Sequence, residues 1–558
     1  KMKFENLPNE YLLDVFAYFN SVHLFRAFFG LNNRFNSLLH HSTLIYHFDF
    51  ESISKKQFDS ICQQYLPLVI EQIHSIGLSN SIETPEQIGY FRSYHFTFDR
   101  FINLKTICLS YISFDEIFDQ ILQECRSLTH LTALRIDHIR NQYDGENICQ
   151  LFNLIWTLPK LTHFYLTNVS ATYSASDLPI SSTLRVLVFD ELYFSVNQIY
   201  LLFKSTPQLS QLNISIKHLY VSGRSFEPIS SSLKILKIRC YSSRWIDIIS
   251  LFQNLPDLSE LTCELHHFPI VKGYEWKAIL STCLPNLKIF RFLMICRFNQ
   301  SMNRERVIDE ILGDYRTSFW INNERQWFVR CDWTWRTIVD SREPYLVLYT
   351  LPYFLESFRF NEIGYSKSTC SNEFDFWSYD SVDDLRIEKD DGFIQYISQY
   401  PIRFPRIQHL SILYHLLPTI QSIFPSFDHL ISLDIRYDDE NLTETDLIHS
   451  MSNLSSIQFH QYHPSQLNLD NPSIRQVYFP THLKFNQFTL FPQCEVLRIG
   501  FHHREILIDI LQTMKQLRSI SFTCYDAKND LIEWLRKYFP SHACITRNDD
   551  TNMIQIWL

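Results

Sequence analysis

Histidine and carboxylate side chains are the residues of this sequence best suited to bind a metal ion, so their spacing is considered first. No histidine pair has the i, i+4 helical spacing with a nearby acid that a zinc hydrolase uses; the close groups are His266-His267, His460 with His463, and His502-His503. Acidic runs such as Asp438-Asp439-Glu440 lack the Asp-x-Asp-x-Asp-Gly pattern of a calcium loop. We therefore expect no bound metal.

Phosphate-binding loops and nucleophile motifs are also missing from the sequence. Only 10 of the 558 residues are Gly, and none lies in a GxGxxG or GxxxxGK[ST] pattern, which needs several glycines for close approach to phosphate. No GxSxG motif is present, and no Cys has a nucleophile signature. We expect no cofactor and no catalytic residues. The alternative is an enzyme whose Ser, His and Asp meet in a deep polar cleft.

Cysteine usage and charge indicate the compartment and the partners. The 13 Cys form no CxxC pair and often stand in apolar runs, as Cys108, Cys240 and Cys263 do. We expect reduced thiols in a cytoplasmic or nuclear protein, with a disulfide framework as the alternative. No run of 18 apolar residues and no signal-peptide pattern occurs, and the net charge is −10. We therefore expect a soluble chain that binds neither nucleic acid nor membrane.

Three short apolar segments near the N-terminus are predicted to be helices. In the first segment, apolar residues at i, i+3, i+4 and i+7 share one helix face: they are Leu12, Val15, Phe16 and Phe19. The other segments run over 24–31 and 34–39, after breaks at Asn20-Ser21 and Asn32-Asn33. Helices this short need a partner surface to bury their apolar faces.

Leu7-Pro8 stands before the first segment, with Glu10, Leu13 and Val15-Phe16 after it. In this pattern residues 4–48 resemble the F-box family. The resemblance implies that these residues bind a Skp-family adaptor, which joins F-box proteins to a cullin scaffold and a RING subunit: Leu7, Pro8, Glu10, Leu12, Leu13, Val15, Phe16, Phe19, Leu24 and Phe35. Two features depart from the family pattern, because Phe35 stands where Trp is common and Phe28-Phe29-Gly30 is bulkier than usual. The alternative is that these helices only cover the open end of a repeat array.

A motif of the form apolar-x-x-apolar-x-apolar recurs from residue 73 onward. Its first positions are 73, 104, 131, 161, 184, 209, 233, 258, 287, 355, 382, 407, 430, 454, 474, 494 and 517. Pro stands two residues before seven of these 17 positions, and the stretches between motifs, such as 148–156 and 506–514, are often amphipathic. A strand, a helix and a Pro-led return at this spacing is typical of leucine-rich repeats.

The array resembles the leucine-rich-repeat superfamily, and with its N-terminal segment it is similar to F-box proteins that carry such repeats. The resemblance implies an α/β fold with a curved solenoid, parallel strands on the concave face and helices outside. We place the F-box at 4–48, a helical linker and cap at 49–72, the solenoid at 73–540 with an insertion at about 294–352, and a C-terminal cap strand at 541–558. The linker is not rich in Gly or Ser, so we expect rigid packing. The usual Asn or Cys after the motif is replaced by Ile112, Ile139, Val169 and Leu192.

The residue between the last two motif positions should face away from the core, because side chains alternate along a strand. Six of these 17 middle residues are basic and one is acidic. Arg291, Arg359 and Arg386 fall in three consecutive motifs, so we expect neighbouring guanidinium groups that bind phosphate or carboxylate of a target. The alternative is pairing with acidic neighbours such as Glu356, Glu362 and Glu388.

The long interval between positions 287 and 355 contains four of the ten Trp within 18 residues: Trp320, Trp327, Trp333 and Trp335. Alternation around Val329 and the break at Asn322-Asn323 predict a β-hairpin. Aromatic and Arg residues are common in interface hot spots, so we expect the four Trp to contact a target. The alternative is that they pack the hairpin onto the scaffold.

These features predict a non-catalytic substrate-recognition adaptor of an SCF-type ubiquitin ligase. We expect a monomer within a hetero-complex, bound to a Skp-family adaptor and through it to a cullin-RING ligase, with an unidentified protein target on the solenoid. The alternative is an interaction scaffold outside the ubiquitin pathway, in which the first helix is covered by the solenoid.

Overall fold

The computed structural model contains two compact units. The N-terminal unit comprises Lys1–Ser215, Arg518–Ser521 and Asp530–Leu558, and the central unit comprises Ile216–Leu517 and Phe522–Asn529. The structure describes residues 4–140, 145–173, 177–217, 232–241, 245–297, 303–322, 325–338, 341–360, 363–370, 379–387, 403–420, 424, 426–436, 448–460, 471–482, 491–501, 503–524, 531–548 and 553–558. None of the helices in these ranges has the length and apolar character needed to cross a membrane.

Three helices begin the N-terminal unit, after a 3-10 turn at Phe4–Asn6. They are α1 (Asn9–Phe16), α2 (Ser21–Phe28) and α3 (Asn33–Leu39). Both predicted breaks are helix N-caps: the Asn20 side chain accepts the N–H of Val22 at 2.8 Å, and the Asn32 side chain accepts the N–H of Phe35 at 2.9 Å. Each cap satisfies a backbone donor that the helix itself leaves without a partner.

The linker is helical and packs onto the N-terminal helices. It contains α4 (Lys55–Ser60), a π-helical turn at Ile61–Tyr65, α5 (Leu66–Val69) and a 3-10 turn at Ile70–Gln72. The ring of Phe25 in α2 stacks on Tyr65 with 5.1 Å between centroids. Strand β1 (Tyr46–Asp49) pairs in parallel with β2 (Ile73–Ser79), so the N-terminal helices are joined directly to the first sheet.

A parallel sheet with intervening helices follows in the N-terminal unit. Its strands are β3 (Thr106–Ser113), β4 (Ala133–Arg140), β5 (His163–Thr167), β6 (Ala171–Thr172), β7 (Val186–Phe194) and β8 (Gln211–Lys217). Its helices are α6 (Gln87–Ser93), a 3-10 turn at Phe98–Arg100, α7 (Glu116–Cys125), α8 (Gly145–Trp156) and α9 (Val196–Ser205). The strand order is β1-β2-β3-β4-β5-β7-β8, with β6 beside β7.

The central unit contains two runs of strands. The strands are β9 (Ile235–Tyr241), β10 (Glu260–His266), β11 (Ile289–Arg297), β12 (Val329–Ile338), β13 (Ser341–Thr350), β14 (Ser357–Phe360), β15 (Ile363–Ser368), β16 (Asp384–Ile387), β17 (His409–Leu413), β18 (Ser432–Arg436), β19 (Ser456–Phe459), β20 (Gln476–His482) and β21 (Val496–Phe501). The first run has the order β9-β10-β11-β13-β12-β15, and the second, which is parallel, has the order β14-β16-β17-β18-β19-β20-β21.

The helices of the central unit lie between these strands in sequence. They are α10 (Trp245–Phe252), α11 (Gly273–Thr282), α12 (Arg304–Tyr315), α13 (Ser318–Ile321), a 3-10 turn at Tyr414–Leu416, α14 (Leu417–Ile420), a 3-10 turn at Ile448–Ser450 and α15 (Ile506–Thr513). The remaining elements within the described residues are β22 (Ser519–Cys524), α16 (Leu531–Tyr538), β23 (Cys544–Asn548) and β24 (Met553–Trp557).

The strand register follows the repeat motif. Middle residues pair from strand to strand, as Gly77 does with Cys108, Cys108 with Arg135, and Arg135 with Tyr165. The last two apolar positions of every motif are buried, as predicted for side chains that face the core. The predicted α/β class with large parallel sheets is therefore confirmed.

A left-handed residue follows the motif in four successive repeats of the N-terminal unit. Tyr111, His138, Asn168 and Glu191 have φ of 55°, 52°, 55° and 62°. The left-handed conformation interrupts the alternation of side chains along the strand, and the next residue is buried. These next residues are Ile112, Ile139, Val169 and Leu192, all at most 3% exposed. An apolar column thus replaces the usual Asn or Cys ladder.

The insertion contains a β-hairpin, but not where the sequence pattern placed it. Strands β12 and β13 pair antiparallel from Val329↔Thr350 to Ile338↔Ser341, whereas the predicted break at Asn322-Asn323 follows helix α13. The hairpin joins the sheet through β13, which pairs antiparallel with β11. The insertion therefore extends the first run of strands instead of lying outside it.

Candidate interaction sites

The N-terminal helices bury four of the predicted adaptor-binding side chains in their own core. Leu12, Phe16, Leu24 and Phe35 are 0%, 1%, 2% and 1% exposed, and Phe28 lies 4.7 Å from Phe16 and 5.4 Å from Phe35 between ring centroids. Side chains this deeply buried cannot contact a partner in this structure, which corrects the expectation of direct contact for these four. Their packing fixes the relative positions of the three helices.

The other predicted adaptor-binding residues reach the surface. Pro8, Glu10 and Phe19 are exposed, and Leu7, Leu13 and Val15 are half-buried. Their adaptor-binding role stays a prediction.

Large apolar side chains that the sequence analysis did not select also lie exposed around α1. They are Phe4, Tyr11, Tyr18 and Leu31, at 41%, 62%, 92% and 60% exposure. Tyr11 and Tyr18 lie off the apolar stripe of α1, so an aromatic residue on the otherwise polar face was the signal that could have revealed them. With Phe19, at 43% exposure, these residues form what we call the α1 surface.

Arg34 positions the segment that leads into α1. Its guanidinium donates to the Asn9 side chain at 2.9 Å, to the Leu7 carbonyl at 2.5 Å and to the Glu5 carbonyl. A planar guanidinium suits such a set of acceptors, because its five N–H donors have a fixed geometry. One residue of α3 thus holds the Leu7-Pro8 turn, and the motif comparison gave no sign of this role.

The three target-binding arginines do not lie on neighbouring strands. Arg359 and Arg386 are register partners on β14 and β16, but Arg291 lies on β11, in the other run of strands. Arg291 donates to Glu260 at 2.9 Å and Arg386 to Asp384 at 2.8 Å. The expected cluster of three is wrong. Pairing with acidic neighbours holds for Arg291 and Arg386, through Glu260 and Asp384, whereas the expected partners Glu362 and Glu388 lie outside the described residues.

The Trp residues of the insertion are core residues. Trp320, Trp327 and Trp333 are 0%, 7% and 1% exposed, and the side chain of Trp335 lies outside the described residues. Trp320 packs 4.8 Å from the ring of Tyr315 in α12. The expectation that these three contact a target is therefore wrong in this structure. For Trp333 on β12, the alternation of the strand directs the side chain inward.

The opposite face of the same hairpin lines a cavity of about 380 Å³ in the central unit. Residues of β9, β10, β11, β12 and β13 surround it together with the segment that enters β14. The lining residues are Arg239, Tyr241, Glu264, His266, Leu293, Ile295, Asp332, Thr334, Val347, Tyr349, Tyr353, Leu355, Ser357, Phe358 and Arg359. We call it the hairpin cavity, and Arg359 is its one residue among the predicted target-binding set.

Two paired carboxylates lie in the wall of the hairpin cavity. Asp332 accepts from the fully buried Arg330 at 2.8 Å and from the Tyr349 hydroxyl at 2.8 Å. Glu264 accepts from Arg239 at 3.1 Å, and His266 lies 3.6 Å away. Burial opposes ionisation of Glu264, but hydrogen bonding and charge from His266 and Arg239 outweigh it and lower the pKa of this carboxyl.

A second, more acidic cavity of about 590 Å³ lies on the strand face of the N-terminal unit. Its carboxylates are Asp49, Glu51, Asp137 and Asp190. Burial and the charges of neighbouring acids raise the pKa of Glu51, whereas hydrogen bonds from Thr167, His138 and Asn168 outweigh burial and lower the pKa of Asp137. The two carboxyls therefore differ in how readily they ionise.

Deep burial changes the acidity of several thiols in the described residues. Burial raises the pKa of Cys125 and Cys296 to about 12, so both thiols are protonated at neutral pH. In the portion of the chain that the structure describes, no group of three or more His, Cys, Asp or Glu is placed to hold a metal ion. What the cavities offer is charge, hydrogen-bond donors and apolar surface.

Comparisons with known proteins give structural neighbours only. The sequence matches no protein-family profile and no curated protein. A leucine-rich-repeat protein of Leptospira interrogans aligns at 12% identity over 83% of this chain and 97% of its own, with a TM-score of 0.23. The yeast complex of Rad7 and Elc1 gives 12% identity, 80% and 92% coverage and a TM-score of 0.28. Similarity at this level does not bear on function, so the fold class rests on the strand register of this chain.

Proposed function

We propose that this chain is a non-catalytic substrate-recognition adaptor of a ubiquitin ligase. Its N-terminal helices act as an F-box that binds a Skp-family adaptor and, through it, a cullin-RING ligase. The strand face of the repeats holds a target protein, and the protein works in the cytoplasm, the nucleus or both.

The exposure of the α1 surface is the observation that carries this proposal. Helices that only covered the end of a repeat array would bury their apolar side chains against it, but Tyr18 is 92% exposed and Tyr11 62%. Several large exposed apolar side chains on one short segment of a folded protein are typical of an interaction site. Because Arg34 also fixes the Leu7-Pro8 turn beside this surface, the surface is held in one shape before a partner binds.

The test is direct binding of the purified chain to a Skp-family adaptor. We expect the double variant Tyr11→Ser and Tyr18→Ser to fold normally, because both side chains are exposed, and to bind at least about tenfold more weakly, as loss of interface aromatics does. The matched control is Tyr274→Ser, since Tyr274 is a 57% exposed tyrosine on α11, which belongs to the central unit. It should bind as well as the unaltered chain.

Two results would count against the proposal. If the unaltered chain does not bind the adaptor, an interaction scaffold outside the ubiquitin pathway becomes the better explanation. If the double variant binds as tightly as the Tyr274→Ser control, the adaptor does not use the α1 surface.

A further inference from the structure

The Thr334 hydroxyl is a buried polar group of the hairpin cavity that has no hydrogen-bond partner among the described residues. Thr334 lines the cavity and is 3% exposed, and its hydroxyl oxygen meets no donor or acceptor within the described ranges of the chain. A buried hydroxyl without a partner costs free energy. Such a group beside a cavity suggests that a ligand supplies the missing hydrogen bond.

The floor of the cavity is apolar and suits a bulky side chain. Leu293 and Ile295 of β11 are 5% and 8% exposed, and Val347 of β13 lies in register with Ile295. Leu355, from the segment before β14, contributes a fourth aliphatic side chain. Pockets for small ligands have this composition, with apolar walls and a few polar groups that fix orientation.

The polar groups of the cavity favour a ligand that accepts hydrogen bonds. Asp332 and Glu264 each have an arginine partner, Arg330 and Arg239, so a further cation is not needed to balance them. Arg359 adds another guanidinium at the exposed side of the cavity. Its five N–H donors can serve more than one acceptor, and a carboxylate matches them in a bidentate geometry.

We propose that the hairpin cavity binds the C-terminal residue of a target protein, with a bulky apolar side chain on the aliphatic floor and the terminal carboxylate at Arg359. A carboxylate and an apolar side chain are carried by one residue only at a chain terminus, which fits a cavity of about 380 Å³. The Thr334 hydroxyl is the group that accepts the backbone N–H of that residue. This inference rests on the target-holding half of the proposed function.

The test uses small probes that mimic the end of a peptide, with the full chain and no adaptor. We expect N-acetyl-phenylalanine to bind with a Kd of about 1 mM, as its size allows. N-acetyl-phenylalanine amide should bind at least about tenfold more weakly, because it lacks the charge that Arg359 recognises. N-acetyl-alanine should also bind more weakly, because it leaves the apolar floor uncovered. Titration by ligand-observed NMR measures all three.

Arg359 has a matched control on the next strand. Arg359→Gln should weaken binding of the acid about tenfold and remove its preference over the amide. Arg386 is the register partner of Arg359 but does not line the cavity. Arg386→Gln should therefore leave binding unchanged. Equal binding of acid and amide by the unaltered chain, or equal effects of the two variants, would overturn the assignment of the carboxylate.

Thr334→Val distinguishes a ligand-binding role from a structural one. The variant keeps the shape of the side chain and removes a hydroxyl that has no partner, so the melting temperature should stay the same or rise. Probe affinity should fall several-fold. A lower melting temperature with unchanged affinity would mean that the hydroxyl serves the fold, and the proposal would fail.

The probe experiment and the adaptor experiment fail separately. Loss of adaptor binding with intact probe binding would overturn the ubiquitin-ligase role and leave the cavity assignment standing. Absence of probe binding by a folded chain that still binds the adaptor would overturn the cavity assignment alone.

Discussion

Trp557 connects the last strand of the chain to the linker that follows the N-terminal helices. It is fully buried, its indole N–H donates to the Ile53 carbonyl at 2.8 Å, and its ring lies 5.2 Å from that of Phe58 in α4. Two backbone hydrogen bonds flank it: Lys55 donates to the Leu558 carbonyl at 2.6 Å, and Leu558 donates to the Arg518 carbonyl at 2.8 Å. Replacing Trp557 should therefore loosen the linker as well as the C-terminal strands.

The expected size of the effect follows from the contacts that are lost. Trp557→Ala removes a fully buried ring and should cost about 3–5 kcal/mol of local stability. Trp557→Phe keeps most of the apolar contact but leaves the buried Ile53 carbonyl without its donor, and should cost about 1–2 kcal/mol. Since each 1.4 kcal/mol is a tenfold change in an equilibrium constant, the alanine variant should open roughly 10² to 4 × 10³ times more often.

Hydrogen–deuterium exchange is the suitable measurement, because a chain with two compact units need not unfold in a single transition. Peptides covering residues 51–62 and 544–558 should exchange faster in both variants, in the order Ala above Phe. Trp534→Ala is the control, since Trp534 lies half-buried on α16 in the same unit. If Trp557→Ala raised exchange no more than Trp534→Ala, the proposed attachment of the linker would be refuted.

Three further predictions concern charged groups. Arg34→Ala should lower adaptor affinity about fivefold to tenfold without loss of circular dichroism, because it frees the start of α1; unchanged affinity would contradict its positioning role. Asp332→Asn removes a charged partner of Arg330, which is 0% exposed, and should cost about 3–5 kcal/mol in chemical denaturation. Asp384→Asn, in a more exposed pair, should cost below about 1 kcal/mol in the same experiment. Glu264 has a lowered pKa in the folded protein. Its stabilising effect is therefore complete above the unfolded pKa of about 4.5 and is lost as the pH falls through the lower folded value. In thermal melts from pH 6 to pH 3, the melting temperature of Glu264→Gln should fall less with acid than that of the unaltered chain, and parallel curves would refute this.

The sequence predicted the parallel strands well, because the apolar motif specifies both the strand and the face that it buries. The residues at the first position of the 17 motifs are all buried except Leu287 and Leu355, which are half-buried and flank the insertion. The N-caps at Asn20 and Asn32 were also readable, since a cap acts on residues two or three positions away. Patterns over a few neighbouring residues thus predict the strands and helix caps that the same residues form.

Contacts between distant segments carry no such pattern. The hydrogen bond from Trp557 to Ile53 joins residues 504 positions apart, and the sequence around either residue does not indicate its partner. Arg34 is similar, because its three acceptors lie 25 to 29 positions away and two of them are backbone carbonyls. Every residue type has a backbone carbonyl, so the sequence does not show which carbonyl accepts a hydrogen bond. Such contacts are visible only in a structure.

The misplaced arginine cluster shows how the insertion changes the sheet. Counting motifs puts Arg291 and Arg359 in consecutive repeats, which assumes that β14 pairs with β11. In the structure β13 occupies that edge of β11, with Leu293 opposite Tyr349, so the hydrogen-bonding groups of β11 are already used. Sequence spacing could not reveal this. An insertion of the same length can either add strands to the sheet or lie outside it.

The insertion does build the candidate target site, but with the residues between the tryptophans. Along β12, Cys331 and Trp333 face inward, so Asp332 and Thr334 must face the other side of the sheet, where they line the hairpin cavity. The alternation that predicted the hairpin from the sequence could also have predicted that Asp332 and Thr334 face away from the tryptophans. Polar residues at alternate positions of an otherwise buried strand are unfavourable unless they have partners, and Asp332 has them while Thr334 lacks one. That difference between two neighbouring polar residues is why we assign a ligand to this cavity.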